Sequence, residues 1–485
     1  MAFNSILSQR SNYSFQSKIG HLVIRISVIS IFPLIGFGNI SAAVTGIFSL
    51  NYLIPTVIPA SLSIVYIFGK SISHNVRMRK KHQWLFPSFK LLNYSIIMLI
   101  VLNILAVCQG LFVYKVMALP SALSYILYLF FTYLYFCIVI HLEPYIERVD
   151  LFFSDYIYSL CLYMLINVCL FLFGIDNPSH KAGYLGELTS IFPGHVRSML
   201  PMPVSISFGA IHSCIVGISS FYLLINKTRF IFHRLFFFVT LISSLFFIIG
   251  IGNRMTIICF IITCFLILVS IYRRIEPTWR QMLVIILIPF IFPIIWCNIF
   301  YAVDSLFPTE FLSRFVRGSY SDIYMLGGRV AIWSEIINYY IESNRILPSI
   351  IGYGIYGQIT SGVVYSYNSL FLVSYANTST AGAHNEALAI LLTNGILGVL
   401  ALFFFLWFLF RSASIFSMKY GDTFFPNWIV IMCPALIIVF ITEAPFLDFN
   451  ETFTTTFLFG IATTLCHLEQ RQVDPLNSLN NTIRP

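Results

Sequence analysis

The chain has 485 residues, of which 58% are hydrophobic and only 10% are charged, with a mean hydropathy of +0.86. Soluble domains carry roughly a quarter charged residues, so a water-soluble enzyme is excluded: these few charges cannot cover a solvent-facing surface. The net charge of +9 follows from Lys and Arg placed in loops and calls for no nucleic acid.

The apolar residues come in runs long enough to cross a bilayer as helices. In chain order the runs cover 21–39, 43–69, 91–114, 119–141, 155–174, 205–226, 235–252, 255–272, 282–302, 386–410, 427–443 and 452–468. The sequence therefore predicts an all-α polytopic membrane protein of about twelve transmembrane helices. Residues 1–20 form a cytoplasmic N-terminus, 21–302 hold spans one to nine, and 303–385 form a large external loop. Spans ten to twelve occupy 386–468, and 469–485 is a cytoplasmic tail. With both termini inside, 19 of the 28 Lys and Arg fall in cytoplasmic segments, among them Arg77, Arg79, Lys80, Lys81, Lys227, Arg229, Arg234, Arg273, Arg274 and Arg280. A one-span error would scramble this positive-inside alternation. Arg25 lies within the first span, which no small-residue cleavage site follows, so that span is expected to be retained. The ten cysteines sit in or at the edges of spans, which argues against structural disulfides and metal sites. Pro55, Pro59, Pro289, Pro293 and Pro434 predict kinks.

Loop size varies more than span length. The external segments 175–204 and 303–385 are long, and loops beyond about 15 residues are usually functional or disordered. The second is rich in Tyr, Ile and Gly, which points away from disorder. Over 330–342 a helical period places Val330, Trp333, Ile336, Ile337, Tyr340 and Ile341 on one face, with Ser334, Glu335, Asn338 and Glu342 opposite. An amphipathic helix lying on the membrane or on the bundle is expected.

Three clusters in the external segments carry chemistry. Gly327-Gly328-Arg329 precedes that helix: glycines let backbone approach a ligand, and a helix N-terminus suits a phosphate. Arg329 there opposes the helix dipole, a conflict that an anion bound between them would resolve; the plainer reading is a turn with an exposed arginine. The second cluster runs from Gly352-Tyr353-Gly354-Ile355-Tyr356-Gly357 to Ala383-His384-Asn385-Glu386 at the start of the tenth span. A helix N-terminus disfavours an imidazolium at His384, as a general base requires. The alternative is a structural histidine, and Glu386 either starts the helix or orients the ring. The third is Gly252-Asn253-Arg254, a tight external hairpin whose arginine either snorkels or holds an anion at lipid-headgroup depth.

The series Gly328-Arg329, Trp333, Gly352, Gly354, His384-Asn385, Leu388, Gly395 and Gly398 resembles the signature region of the O-antigen ligase and O-antigen polymerase superfamily. There a large periplasmic loop ends in a histidine followed by Ser or Asn, with Leu four places after the histidine and Gly seven further on. Arg254 is similar to the family's other arginine site, which usually follows a serine, replaced here by Asn253. The motifs cover about 150 residues; elsewhere only the topology is alike.

The resemblance implies a metal-independent glycosyltransferase of the GT-C type in the bacterial inner membrane, using no cofactor. Its donor would be an undecaprenyl-pyrophosphate-linked oligosaccharide, taken at the external face. Among its partners would be membrane lipid and the flippase and chain-length regulator of the same pathway. His384 would be the base and Arg329 and Arg254 the pyrophosphate ligands, with Gly328, Trp333, Tyr353, Asn385 and Glu386 around the substrate. Were His384 dispensable, Glu386, Asp322 or Glu443 would be the carboxylates to examine as base. A polymerase passes the growing chain to a new lipid-linked repeat unit, and a ligase passes it to lipid A-core. The sparsely charged, Phe- and Ile-rich chain favours the polymerase. A lipid-linked sugar flippase or other transporter is the rival from another class; such proteins place ionisable residues near the midplane, where this sequence has almost none beyond Arg25.

Overall fold

The structure is a computed structural model that describes residues 15–74, 91–141, 149–175, 200–203, 206–226, 231–251, 253–273, 279–306, 329–343, 345–368, 383–419, 424–446 and 452–466. Gly327, Gly328, Gly252 and Asp322, the Arg77–Lys81 cluster, and the side chain of Arg254 lie outside this description. Among the described residues the chain is all-helical.

The long helices are α1 (Phe15–Thr45), α2 (Leu50–His74), α3 (Leu91–Cys108), α4 (Leu119–His141), α5 (Val149–Leu172), α6 (Ile206–Asn226), α7 (Ile231–Ile251), α8 (Arg254–Arg273) and α9 (Trp279–Leu306). A π-helical turn, Gln109–Val113, extends α3. Then come α10 (Arg329–Glu342), the short α11 (Ile346–Ile351), α12 (Gly357–Thr360) and α13 (Val364–Asn368), and finally α14 (Glu386–Lys419), α15 (Phe424–Thr442) and α16 (Phe453–Cys466). Seven helices, α1, α3, α4, α5, α6, α7 and α14, are long and apolar enough to cross a membrane, and α2, α8, α9, α15 and α16 contain shorter apolar stretches. Each expected span falls on one of these helices. The chain is built as an α-helical, multi-pass membrane protein.

α7 shows how such a helix partitions. Phe237, Thr240, Leu241, Ser244, Phe247, Ile248 and Ile251 recur at three- and four-residue spacing and are buried. The opposite face, with Leu235, Phe238, Ile242 and Phe246, is exposed yet equally apolar. A helix apolar all round suits protein on one side and lipid on the other. Its inner face carries small polar residues where α6 approaches: a Cβ on Gly217 would come within 3.1 Å of the Ser244 Cβ. Close approach over small residues drives helix association where lipid offers no hydrophobic gain.

α1 packs on α2 and α5, α2 on α4, and α6 on α7 and α8; α14 packs on α3, α9, α15 and α11. Arg25 of α1 pairs bidentately with Asp155 of α5, Nε to Oδ2 at 2.8 Å and Nη2 to Oδ1 at 2.9 Å. The arginine within the first expected span thus meets the aspartate at the edge of the fifth. α2 and α9 run on through Pro55, Pro59, Pro289 and Pro293. Among the described residues, α14 is interrupted by non-helical backbone at Gly395, with φ 67° and ψ −164°.

α10 occupies the expected segment, but its buried stripe is turned toward Ile332. Val330, Ile332, Trp333 and Ile336 are buried, and Ile341 is 77% exposed. The cause is its cover: Phe292 of α9 meets the Trp333 ring at 6.0 Å, and Leu388 and Leu392 of α14 join the same apolar cluster. α10 is therefore docked on the bundle.

Candidate functional site

Three chain segments converge at the start of α14. Ala383 accepts a hydrogen bond from the indole N–H of Trp333 at 3.0 Å, which fixes the approach to the helix. His384 follows with φ 48°. The left-handed region is uncommon for a non-glycine residue, although histidine enters it more readily than most, and such strain concentrates at functional positions. Asn385 is the N-cap, its Oδ1 accepting the Leu388 N–H at 3.0 Å. Its amide donates to the carbonyls of Pro289 in α9 at 3.0 Å and of Ile441 in α15 at 3.1 Å. Glu386, the first helical residue, accepts the Phe446 N–H on Oε2 at 3.0 Å.

These bonds bring the end of α15 against His384. Glu443 is the first residue past α15, beyond its apolar stretch Asn427–Ile441. Its Oε1 accepts from Arg329 Nη2 at 2.6 Å, and its Oε2 lies 3.2 Å from His384 Nδ1. Arg329 begins α10, where its charge opposes the helix dipole. The anion beside it here is the protein's own carboxylate.

Burial pushes the Glu443 carboxyl up, but the Arg329 guanidinium and the His384 hydrogen bond outweigh it and hold it down at about 2. An ionised carboxylate only accepts hydrogen bonds, so Nδ1 of His384 carries the proton between them. In the neutral ring this leaves the lone pair on Nε2. Exposure is graded across the cluster: the side chains of His384 and Arg329 are 33% and 22% exposed, and that of Glu443 is 6% exposed. A histidine and a guanidinium thus reach accessible space while the anion that orients both stays inside.

The glycine-rich segment is anchored farther along α14. Its N–H groups at Tyr353 and Gly354 donate to the carbonyls of Leu392 and Thr393 at 2.8 and 3.1 Å, just before the break at Gly395. The Ile355 N–H donates to Ala106, where α3 gives way to its π turn. Gly352 has φ 83°, and a Cβ there would meet the Thr393 oxygen at 2.2 Å, so only glycine fits. The Tyr353 hydroxyl lies 3.0 Å from that of Tyr339. Burial, with the Tyr353 hydrogen bond, pushes the Tyr339 phenol up to about 12, so it stays protonated.

Of the residues singled out from sequence, His384 and Arg329 come together, while Asn385, Glu386 and Trp333 are buried around them in framework contacts. Tyr353 is buried beside Leu392, eight residues along α14 from His384, roughly 12 Å at 1.5 Å per helical residue. Sequence reasoning named Glu443 only as a fallback base and missed its place between the other two. The available signal was an ionisable residue at the end of an apolar helix in a chain with few charges. Compared with known proteins, the chain matches no family model and no curated protein.

Proposed function

We propose that this protein is a polysaccharide polymerase: a metal-independent, GT-C-like glycosyltransferase with twelve membrane spans and both termini in the cytoplasm of a bacterial inner membrane. It takes a glycan chain from undecaprenyl pyrophosphate at the external face and transfers it to a lipid-linked repeat unit. The observation that carries this reading is Glu443 bridging His384 and Arg329, which sets a proton acceptor beside a guanidinium. The resemblance of Gly328-Arg329 and His384-Asn385 to the ligase and polymerase motif supplies the substrate class.

In this reaction the acceptor hydroxyl attacks the anomeric carbon of the donor sugar and gives its proton to His384 Nε2. The bond from that carbon to the pyrophosphate oxygen breaks, the electron pair leaves with undecaprenyl pyrophosphate, and the anomeric centre inverts. Arg329 stabilises the leaving group through charge-assisted hydrogen bonds, which a planar guanidinium makes in pairs. Arg254, at the start of α8, supplies the second cation.

The test is polymer formation in proteoliposomes supplied with lipid-linked repeat units. His384→Asn keeps a polar residue and should insert normally, yet lose roughly 10²-fold or more in turnover, the usual worth of a general base. Arg329→Lys should recover little of what Arg329→Ala loses, because a point charge cannot reproduce the fork. Near-normal polymer from the His384→Asn protein would remove the base. A deletion strain should carry single capped repeats; accumulation of unattached lipid-linked polymer would assign the ligase reaction instead.

A further inference from the structure

Asn385 touches two carbonyls that the helix cannot satisfy. In an α-helix the carbonyl of residue i accepts from the N–H of residue i+4. Four residues beyond Pro289 stands Pro293, and four beyond Ile441 stands Pro445. Proline has no N–H, so each carbonyl lacks its helical donor. The two N–H groups of the Asn385 amide fill both positions, at 3.0 and 3.1 Å, and the side-chain oxygen is spent on the Leu388 N–H. The side chain is fully buried. All three of its bonds go to the protein, so a substrate has none of them to use.

From this geometry we infer that Asn385 is a positioning residue, a clasp that holds α9 and α15 to the start of α14 and thereby sets His384 against Glu443. The inference rests on the proposed role of His384. His384 is the residue before Asn385, and Glu443 lies two residues beyond the Ile441 carbonyl. The clasp therefore spans the 3.2 Å His384–Glu443 contact at a remove of one residue on one side and two on the other. Prolines at 293 and 445 make the clasp specific, because they hold open the two acceptors that an unbroken helix would close. Asp at 385 would keep the cap but turn an oxygen toward two carbonyls, and Ala would remove all three bonds.

Two measurements on the full-length protein test the clasp, one of them independent of activity. The first is a double-mutant cycle in thermal stability between His384→Asn and Glu443→Gln, run with Asn and with Ala at 385. With Asn385 the two substitutions should be coupled; with Asn385→Ala the coupling should vanish, and an unchanged coupling would overturn the clasp. The second adds Pro293→Ala, which returns a backbone donor to Pro289. If Asn385 only satisfies carbonyls, Asn385→Ala with Pro293→Ala should regain stability and turnover together, by the share that the Pro289 carbonyl carries. As a positioning residue it should regain that share of stability while turnover stays about tenfold or more down, the scale of two lost hydrogen bonds, with KM for the lipid-linked donor unchanged. Coupling lost at 385 in a protein whose His384→Asn form still makes polymer would refute the general-base role and leave the clasp standing.

Discussion

Glu443→Gln keeps the volume of the side chain and removes the charge that Arg329 and His384 share. Arg329 would then sit partly buried beside a neutral amide, and breaking such a pair leaves its cost uncompensated. Since Arg329 retains contact with water, the expected loss is roughly 1–3 kcal/mol of stability. The pH dependence has a definite sign. The folded carboxyl is held at about 2 against an ordinary 4.5, so the native state keeps Glu443 ionised where the unfolded chain would protonate it. The stabilisation is full above about 4.5 and is lost as pH falls toward about 2. Melting temperature of the detergent-solubilised protein should drop across that window, and the Glu443→Gln protein should show a shallower drop. Parallel acid limbs in the two proteins would mean that other carboxylates govern the transition. The site was half legible at this scale. His384 and Arg329 stand in local patterns, a histidine at a helix start and an arginine after two glycines. Glu443 is 59 residues from one and 114 from the other, and no spacing rule connects residues brought together only by helix packing.

At the scale of elements, the docking of the glycine-rich segment depends on two backbones passing without side chains between them. A Cβ on Gly352 would lie 2.2 Å from the Thr393 oxygen, and one on Gly395 would lie 2.4 Å from the Ile350 carbonyl carbon and oxygen. Both glycines also have positive φ. Gly352→Ala and Gly395→Ala should therefore each force α11 off α14 and cost well over the roughly 1 kcal/mol that φ strain alone carries. Gly362 separates the two effects: its φ is 86°, but a Cβ there meets only a Tyr365 ring carbon at 4.0 Å. Gly362→Ala should cost only the strain, and equal melting temperatures for all three variants would discount the steric argument. The helices themselves were legible from long apolar runs, because in a bilayer hydrophobicity alone nominates an element. The break at Gly395 was not, since prolines drew the expectation of kinks; the carbonyls before the break are instead taken up by N–H groups of a segment about forty residues earlier. The stripe of α10 was off by Ile332 and Ile341 for the same reason: periodicity gives a face, and the neighbours decide how far it is turned.

For the whole molecule, the inward or outward placement of the site follows from the order of the spans. In the proposed topology of twelve crossings starting in the cytoplasm, the segment that bears α10 to α13, His384 and Glu443 lies on the external side and the Arg77–Lys81 cluster on the inner side, in line with the positive-inside asymmetry of the sequence. Five of the twelve rest on helices whose apolar stretches are short, among them α15 between Asn427 and Ile441. Were α2, α8 or α9 to turn back within the membrane, His384 would change side, and a donor flipped outward would no longer meet it. Cysteines introduced one at a time at Ser361, in the segment after α12, and at Ser73, near the end of α2, report the two sides directly. The nine free cysteines among the described residues, and Cys433, would first be replaced so that only the new thiol reacts. In intact spheroplasts an impermeant maleimide should label the Ser361→Cys protein and leave the Ser73→Cys protein unlabelled until the membrane is broken. Labelling of both from one side would place an even number of crossings between them where the sequence predicts seven, and the external assignment of the His384 site would fall with it.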